Sequence, residues 1–310
     1  MARYLAGRIA QAVLVLWAAF TVTFVILYLL PSDPLAIILG ANNVDIDSLT
    51  PDQLAAAKAA YGLDKSPFQQ YVSVLSHAVR GDFGNSLVAN QSVLSVIASH
   101  LPGTLVLSGL ALTFAVIVGV GLAVLATYVQ WGPARWLLTR LPAAGVSVPL
   151  FWVGLILIQV FAFTLGWFPA IGDSTPSTLV LPAVTMGLPT AAVIAQVLSR
   201  SLRDTFHEPY VTTARAKGLS RVQLLVRHAF RNAALPTLTI LGLILGNTVS
   251  GAVVTETIFS RNGVGRLAQE SVLNQDIPVV LGIVTLAAAS FVLVNLIVDL
   301  IYPLLDPRVA

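Results

Sequence analysis

Cysteine is absent from the chain, and only 10% of its 310 residues are charged. The first absence excludes a disulfide framework, a thiolate nucleophile and a Cys-ligated metal centre. The second excludes an ordinary soluble domain, whose surface carries roughly 25–35% Lys, Arg, Glu and Asp. Lysine occurs only at Lys58, Lys65 and Lys217, each followed by Ala59, Ser66 or Gly218 and preceded by Ala57, Asp64 or Ala216. None fits the Gly-Lys-Ser/Thr loop that cradles nucleotide phosphates. His207-Glu208 continues as Pro209-Tyr210-Val211, so the second ligand of a His-Glu-x-x-His zinc site is missing. His77, His100, His207 and His228 all fall outside the long apolar runs, which leaves no intramembrane Ser–His pair. The chain is therefore expected to have no catalytic residue, no metal site and no cofactor of its own.

What the sequence does contain is apolar length: 56% of the residues are hydrophobic and the mean hydropathy is +0.85. A hydrocarbon core of ~30 Å takes about 20 helical residues. Six runs qualify, over Ile9–Leu30, Leu105–Val129, Leu141–Leu165, Leu179–Leu198, Pro236–Val254 and Pro278–Tyr302. The expected fold is all-α and polytopic, with six transmembrane helices. The ~10-residue alternation of a membrane barrel appears nowhere. Although the first run follows Arg3 and Arg8 as a signal peptide would, it is too long for one and no small-x-small site follows. It reads as an uncleaved helix.

The Lys/Arg asymmetry of short loops sets the orientation. With the N-terminus inside, the inner side holds Arg3, Arg8, Arg135, Arg140, the run Arg200, Arg203, Arg215, Lys217, Arg221, Arg227 and Arg231, and Arg308. Among the short outer loops only Arg261 and Arg266 remain. Both termini are expected to be cytoplasmic. Topology then accounts for the net charge of +3, and no nucleic-acid partner is expected.

Four segments follow: a first helix at 1–30, an extracytoplasmic helical segment at 31–101, a five-helix core at 102–302 and a tail at 303–310. In the outer segment, Thr50-Pro51-Asp52-Gln53 and Ser66-Pro67-Phe68-Gln69 each place an N-cap, a Pro at N1 and a Gln at N3. Each begins a helix, and Gly62 and Gly81 stand where the two should stop. Asp33, Asp45, Asp47, Asp52, Asp64 and Asp82 make this cap mildly acidic.

The inner loop at 200–235 is far longer than the 2–8 residues a helix reversal needs. Pro209 opens a short helix to Lys217, Gly218 breaks it, and Ser220-Arg221-Val222-Gln223 supplies a capping box for a second helix. On that helix Val222, Leu225, Ala229 and Ala233 share one face, beside a polar stripe of Gln223, Arg227 and Arg231. Pro236 is then expected to start the fifth span.

Glu256 and Asp299 lie near the ends of spans five and six, where both can reach the interface, and the deeper polar residues Gln159, Gln196, Asn247 and Asn295 are neutral. That argues against a midplane proton relay, while a Na⁺ site of backbone carbonyls would leave no trace. Gly242-x-x-x-Gly246 allows close helix approach. Asn247 and Ser250 line a hydrated path or bond across helices.

A polytopic chain with no motor but a structured basic hairpin inside reads as a translocation path driven from outside. The residues then become recognisable. Tyr210-Val211-Thr212-Thr213-Ala214-Arg215-Ala216-Lys217-Gly218-Leu219 with Arg227-His228-Ala229-Phe230-Arg231-Asn232-Ala233-Ala234-Leu235-Pro236 resembles the EAA loop of ABC importer permeases in its dipeptide/oligopeptide/nickel version. Gly251–Phe259 with Gly263-Val264-Gly265-Arg266-Leu267, Gly81-Asp82-Phe83-Gly84-Asn85-Ser86 and Pro31-Ser32-Asp33-Pro34 are similar to that family's other landmarks. Thr212-Thr213-Ala214 replaces the Glu-Ala-Ala that names the loop, and Asn262 replaces the usual Pro before the Gly-x-Gly turn.

The resemblance implies a type I ABC importer permease in the bacterial cytoplasmic membrane, moving di- or oligopeptides inward, with a nickel permease of the same family or an ion-coupled transporter as alternatives. It also implies a homologous second permease, two ATP-binding-cassette ATPase subunits, an extracytoplasmic solute-binding protein and surrounding membrane lipid. Tyr210, Thr213, Ala214, Arg215, Ala216, Lys217, Gly218 and Leu219 would form the ATPase-coupling element. Asn247 and Ser250 are the candidates for the substrate path.

Overall fold

The computed structural model describes residues 2–29, 35, 39–40, 46–60, 64–173 and 175–305. At 2–6, 28–29, 47, 57, 60, 239, 243, 245–250 and 298–305 it describes the backbone alone. The helices are α1 (Ala2–Leu29), α2 (Pro51–Ala60), α3 (Pro67–Ala78), α4 (Val93–Tyr128), α5 (Gly132–Ser147), α6 (Leu150–Leu157), α7 (Val180–Phe206), α8 (Pro209–Ala216), α9 (Arg221–Gln223), α10 (Phe230–Ile258), α11 (Val264–Leu273) and α12 (Ile277–Leu305). No strand occurs among the described residues. The chain divides into two compact units, residues 1–102 with 263–292 and residues 103–262 with 293–310.

In the first unit the expected caps form. Gln53 N–H donates to Thr50 Oγ1 while Thr50 N–H donates to Gln53 Oε1, and Ser66 and Gln69 repeat the exchange at α3. Gly81 takes a φ of +79° after α3, whereas Gly62 lies outside the described residues. The inner face of α3, with Tyr71, Val74, Leu75 and Ala78, packs on Phe20, Phe24 and Leu27 of α1 and on Val280 and Leu281 of α12. A second cluster joins Val93, Val96 and Ile97 to Val264, Leu267, Val279 and Ile283. Asp276, buried before α12, accepts from Ser86 Oγ at 2.5 Å and from the backbone N–H groups of Leu87 and Val88, which fixes the Gly84–Ser86 turn.

In the second unit α7 is the central helix, packed by α5, α6 and α10. Its approach to α4 relies on missing side chains. A Cβ at Gly187 would stand 2.5 Å from the carbonyl oxygen of Ala111, and one at Gly119 would stand 2.7 Å from that of Ala191. Small residues let membrane helices make backbone-to-backbone contact where lipid supplies no hydrophobic drive.

Four helical stretches among the described residues are long and apolar enough to cross a membrane: Gly7–Leu27, Val93–Tyr128, Pro176–Phe206 and Ile277–Ile297. The expected span Leu141–Leu165 is not one straight helix. It is broken between α5 and α6 by a 105° bend, and the pair makes a fifth crossing if taken together. Pro149 is the cause: it excludes Val148 from the helical region, and the two adopt ψ of 129° and 137°. Beyond α6 the helix widens into a π-helical stretch over Ile158–Thr164. The stretch expected as the fifth span, Pro236–Val254, lies within α10, part of it at residues described by backbone alone.

Pro236 does not begin that helix. The turns run from α9 through a π-helical segment, Leu224–Ala229, into α10, with Pro236 in its interior. A proline inside a membrane helix removes one N–H but need not end it. Glu256, expected to reach an interface, is 1% exposed instead and accepts from Thr104 Oγ1 at 2.6 Å. The side chain of Asp299 lies outside the described residues.

Candidate functional site

Between α7 and α8 only His207 and Glu208 intervene, so the basic hairpin grows directly from a spanning helix. Pro209 occupies the first turn of α8 with Glu208 as N-cap. At its far end Gly218 adopts φ +85°, Gly218 N–H donates to Arg215 O at 3.0 Å, and Leu219 N–H donates to Ala214 O at 3.4 Å. This is the Schellman closure, completed by apolar contact between its third-last and second-following residues, here Ala214 and Leu219. The next arm starts from the Ser220–Gln223 capping box, with both reciprocal bonds made.

Two clusters bind this hairpin to its base. Val211 and Ala214 are buried against Leu224, with Phe206 and Leu219 around them. Leu225, Ala229 and Ala233 are buried with Ala123 of α4 and Leu198 and Leu202 of α7. Val222, expected on that same face, is half exposed, as is Val226. The π-helical turns at 224–229 explain the difference: extra residues per turn rotate the face, so Leu224 takes the place that a 3.6-residue period assigns to Val222.

Polar ties complete the anchorage. Arg221 Nη2 donates to the carbonyl oxygen of Thr127 at 2.7 Å, in the last turn of α4, and the guanidinium stands 6.0 Å from the Tyr128 ring. A cation there meets carbonyls that the helix itself leaves without donors. Asn232 Nδ2 donates to Tyr210 Oη at 2.8 Å, bracing the two arms.

The predicted coupling residues thus separate by position. Thr213, Arg215, Ala216, Lys217 and Gly218 are exposed, with Thr213 Oγ1 donating to Pro209 O. Ala214 is buried, Leu219 is half-buried, and Tyr210 is exposed while bonded across the hairpin. Sequence reasoning missed the roles of Arg221 and Val226. A capping box with an Arg at N1 was visible, but its partner is 94 residues away.

A cavity of about 240 Å³ lies in the same unit, lined by Ser108, Ala111, Met186, Pro189, Thr190 and Gly251 among others. Among the described residues its wall carries hydroxyls and no charged side chain. The side chains of Asn247 and Ser250 lie outside the described residues.

Between α10 and α11, Arg261 is buried, paired with Asp173 at 3.0 Å, and donates to Gly172 O, Thr178 O and Thr178 Oγ1. Asn262 N–H donates to Asp173 Oδ2 at 2.7 Å. The position that departs from the family's proline thus uses its N–H to hold the same carboxylate.

Several apolar spans and a long amphipathic hairpin that grows from one of them, α7, are features of a membrane permease. The chain belongs to the family of binding-protein-dependent transport system inner membrane components, the permeases of ABC importers: that family's model matches residues 111–310, and its N-terminal companion matches residues 1–108.

Among its relatives, the glutathione transport system permease protein GsiC of Escherichia coli (strain K12) is 35% identical, covering 100% of this chain and 99% of its own. The di/tripeptide transport system permease protein DppB of Pseudomonas aeruginosa (strain UCBPP-PA14) is 34% identical over the same shares. The fold is also that of a solved chain of the MetNI methionine ABC transporter, in an inward-facing conformation, with a TM-score of 0.54 at 15% identity over 68% of this chain and 96% of that one. A solved amino acid ABC transporter chain gives 0.54 at 17% identity over 67% and 94%. The protein is accordingly a multi-pass component of the bacterial inner membrane, of the dipeptide/oligopeptide permease family and not of a catalytic one. Membership implies an ATPase subunit and a partner permease.

Proposed function

We propose that this chain is the permease subunit through which an ABC importer moves di- or oligopeptides into the cell, by alternating access driven by separate ATPase subunits. The observation that carries the reading is the hairpin at 207–235, whose exposed face of Thr213, Arg215, Ala216 and Lys217 stands on a base packed against both α4 and α7. A subunit that grips this face moves two spanning helices at once. Tyr210, Ala214, Gly218 and Leu219 shape the hairpin, and Val222 and Val226 extend its exposed side with apolar surface.

The reading includes six spans with both termini cytoplasmic, an extracytoplasmic cap at 31–101 and a core at 102–302. It also includes a pseudo-symmetric second permease, two ATPase subunits and an extracytoplasmic solute-binding protein, with no catalytic site in this chain. A peptide cargo is favoured over nickel by the names of the relatives and by a cavity walled with hydroxyls and apolar groups. Asn247 falls three residues after Ile244 and four before Gly251, both of which line that cavity, and with Ser250 it is the proposed continuation of the path.

The test is uptake and ATP hydrolysis by the assembled transporter in vesicles. Gly218→Pro demands a negative φ where the turn has +85°, and Arg215→Glu inverts the charge of the exposed face. Both variants should insert and still assemble, yet hydrolyse ATP without stoichiometric uptake. Normal uptake by both ends the coupling assignment. Uptake by this chain alone, on an ion gradient, ends the importer reading.

A further inference from the structure

Helix α3 carries a second apolar strip that no described residue covers. Tyr71, Val74, Leu75 and Ala78 face α1 and α12, but Phe68, Val72 and Val79, one helical face at i, i+4 and i+11, are 73%, 47% and 80% exposed. Further around the helix, away from α1, the surface is polar, with Gln69, Ser76, His77 and Arg80 exposed. Such a helix either floats in water with its strip exposed or has a cover.

Its depth identifies the cover. Tyr71 Oη and Thr21 Oγ1 are hydrogen bonded at 2.7 Å, and the Tyr71 ring stands edge-on to Phe24 at 5.3 Å. Thr21 lies nine residues before Leu30, where the apolar run of the first span ends, a depth of roughly 13 Å at 1.5 Å per residue. On α12 the α3 cluster extends from Ile277, where that span begins, to Val284, roughly 10 Å in. Two antiparallel spans thus put the deepest α3 contacts roughly 10–13 Å in, just below the about 5–10 Å to which amphipathic helices sink in a bilayer interface. On α1 at this level Val22, Val25 and Ile26, on the side away from α3, are also exposed, so the span presents apolar surface to its surroundings at the height of the strip.

We propose that α3 is an interfacial anchor: Phe68, Val72 and Val79 enter the acyl-chain region of the leaflet at the Leu27 end of α1, while Gln69, Ser76 and Arg80 remain among the headgroups. Lys65 and Arg80 flank the helix and meet lipid phosphates. The cap after α1 is then seated partly in the membrane and not wholly above it. This rests on α1 being a span, and not on which way it runs.

The absence of cysteine makes the test direct. Single Phe68→Cys, Val72→Cys, Val79→Cys, Gln69→Cys and Ser76→Cys variants of the assembled transporter are nitroxide-labelled in phosphatidylethanolamine/phosphatidylglycerol vesicles and probed with oxygen and a water-soluble nickel chelate. Val22→Cys and Ile26→Cys report on α1. The oxygen-to-nickel accessibility ratio should be severalfold higher at 68, 72 and 79 than at 69 and 76, and should match that of 22 and 26. A ratio at 68, 72 and 79 equal to that at 69 and 76 puts the strip in water and overturns the anchor. Protection from both probes means a protein cover, the solute-binding protein or the second permease, and overturns it equally. Nickel access at 22 and 26 removes the span itself, a failure distinct from that of α3.

Discussion

Replacing Gly187 by alanine should destabilise the protein, while the same replacement at Gly121 should stabilise it. Both glycines are helical. A Cβ at Gly187 would meet the Ala111 carbonyl oxygen at 2.5 Å and Phe114 Cδ1 at 2.8 Å, whereas one at Gly121 would meet nothing within 4 Å. Carbon–oxygen contacts settle near 3.3–3.6 Å, so α4 and α7 must part by about 1 Å. The Phe114 ring can turn away, but the obstructing backbone oxygen cannot. Overpacking of this kind costs about 1–3 kcal/mol. The better helix propensity of alanine offsets about 1 kcal/mol of that. The net effect is a loss of about 0–2 kcal/mol at Gly187 and a gain of up to about 1 kcal/mol at Gly121. Gly119→Ala belongs with Gly187, since its Cβ would lie 2.7 Å from the Ala191 oxygen and 2.8 Å from Ile194 Cβ. Unfolding of each purified variant by sodium dodecyl sulfate in mixed micelles gives the comparison. Equal midpoint shifts for Gly187→Ala and Gly121→Ala would refute the close approach of the two helices.

Arg221→Ala removes a charge-assisted bond to the end of α4, worth about 1.5–3 kcal/mol. It should lower the uptake obtained per ATP hydrolysed without releasing the ATPase subunits, and an unchanged ratio would show that the tie transmits nothing. Arg261→Ala should open the loop before α7 to protease and hydrogen exchange, since it strips donors from two carbonyls and a carboxylate. Asp173→Asn should cost only about 1 kcal/mol, because that carboxylate is partly exposed and its neutral amide still accepts from the Asn262 N–H. Equal loop opening in both variants would contradict this division of roles.

Local chemistry was legible from the residues alone. The capping boxes at Thr50, Ser66 and Ser220 and the break at Gly218 depend on bonds within a few residues, so composition at fixed spacing suffices. The apolar runs and the hairpin landmarks were legible for a similar reason, since each is a property of a contiguous stretch. The error over Val222 has a definite origin: a period of 3.6 was carried through turns that are π-helical. The proline at 149 was visible, yet proline is tolerated inside α7 at Pro189 and inside α10 at Pro236, so the residue type alone did not mark where the chain bends by 105°.

The sequence by itself determined that this chain lives in a membrane and carries a capped, basic helical hairpin between two of its apolar runs. Those conclusions need only hydropathy, charge and local spacing, because a bilayer imposes length and backbone satisfaction on every spanning segment separately. Tertiary structure decided what the hairpin is attached to, why Glu256 is buried and which face of α3 is left exposed. Each of these depends on partners far along the chain, 94 residues apart for Arg221 and Thr127 and 152 for Thr104 and Glu256. A side chain's neighbour across a helix interface is fixed by packing and not by its own position in the chain.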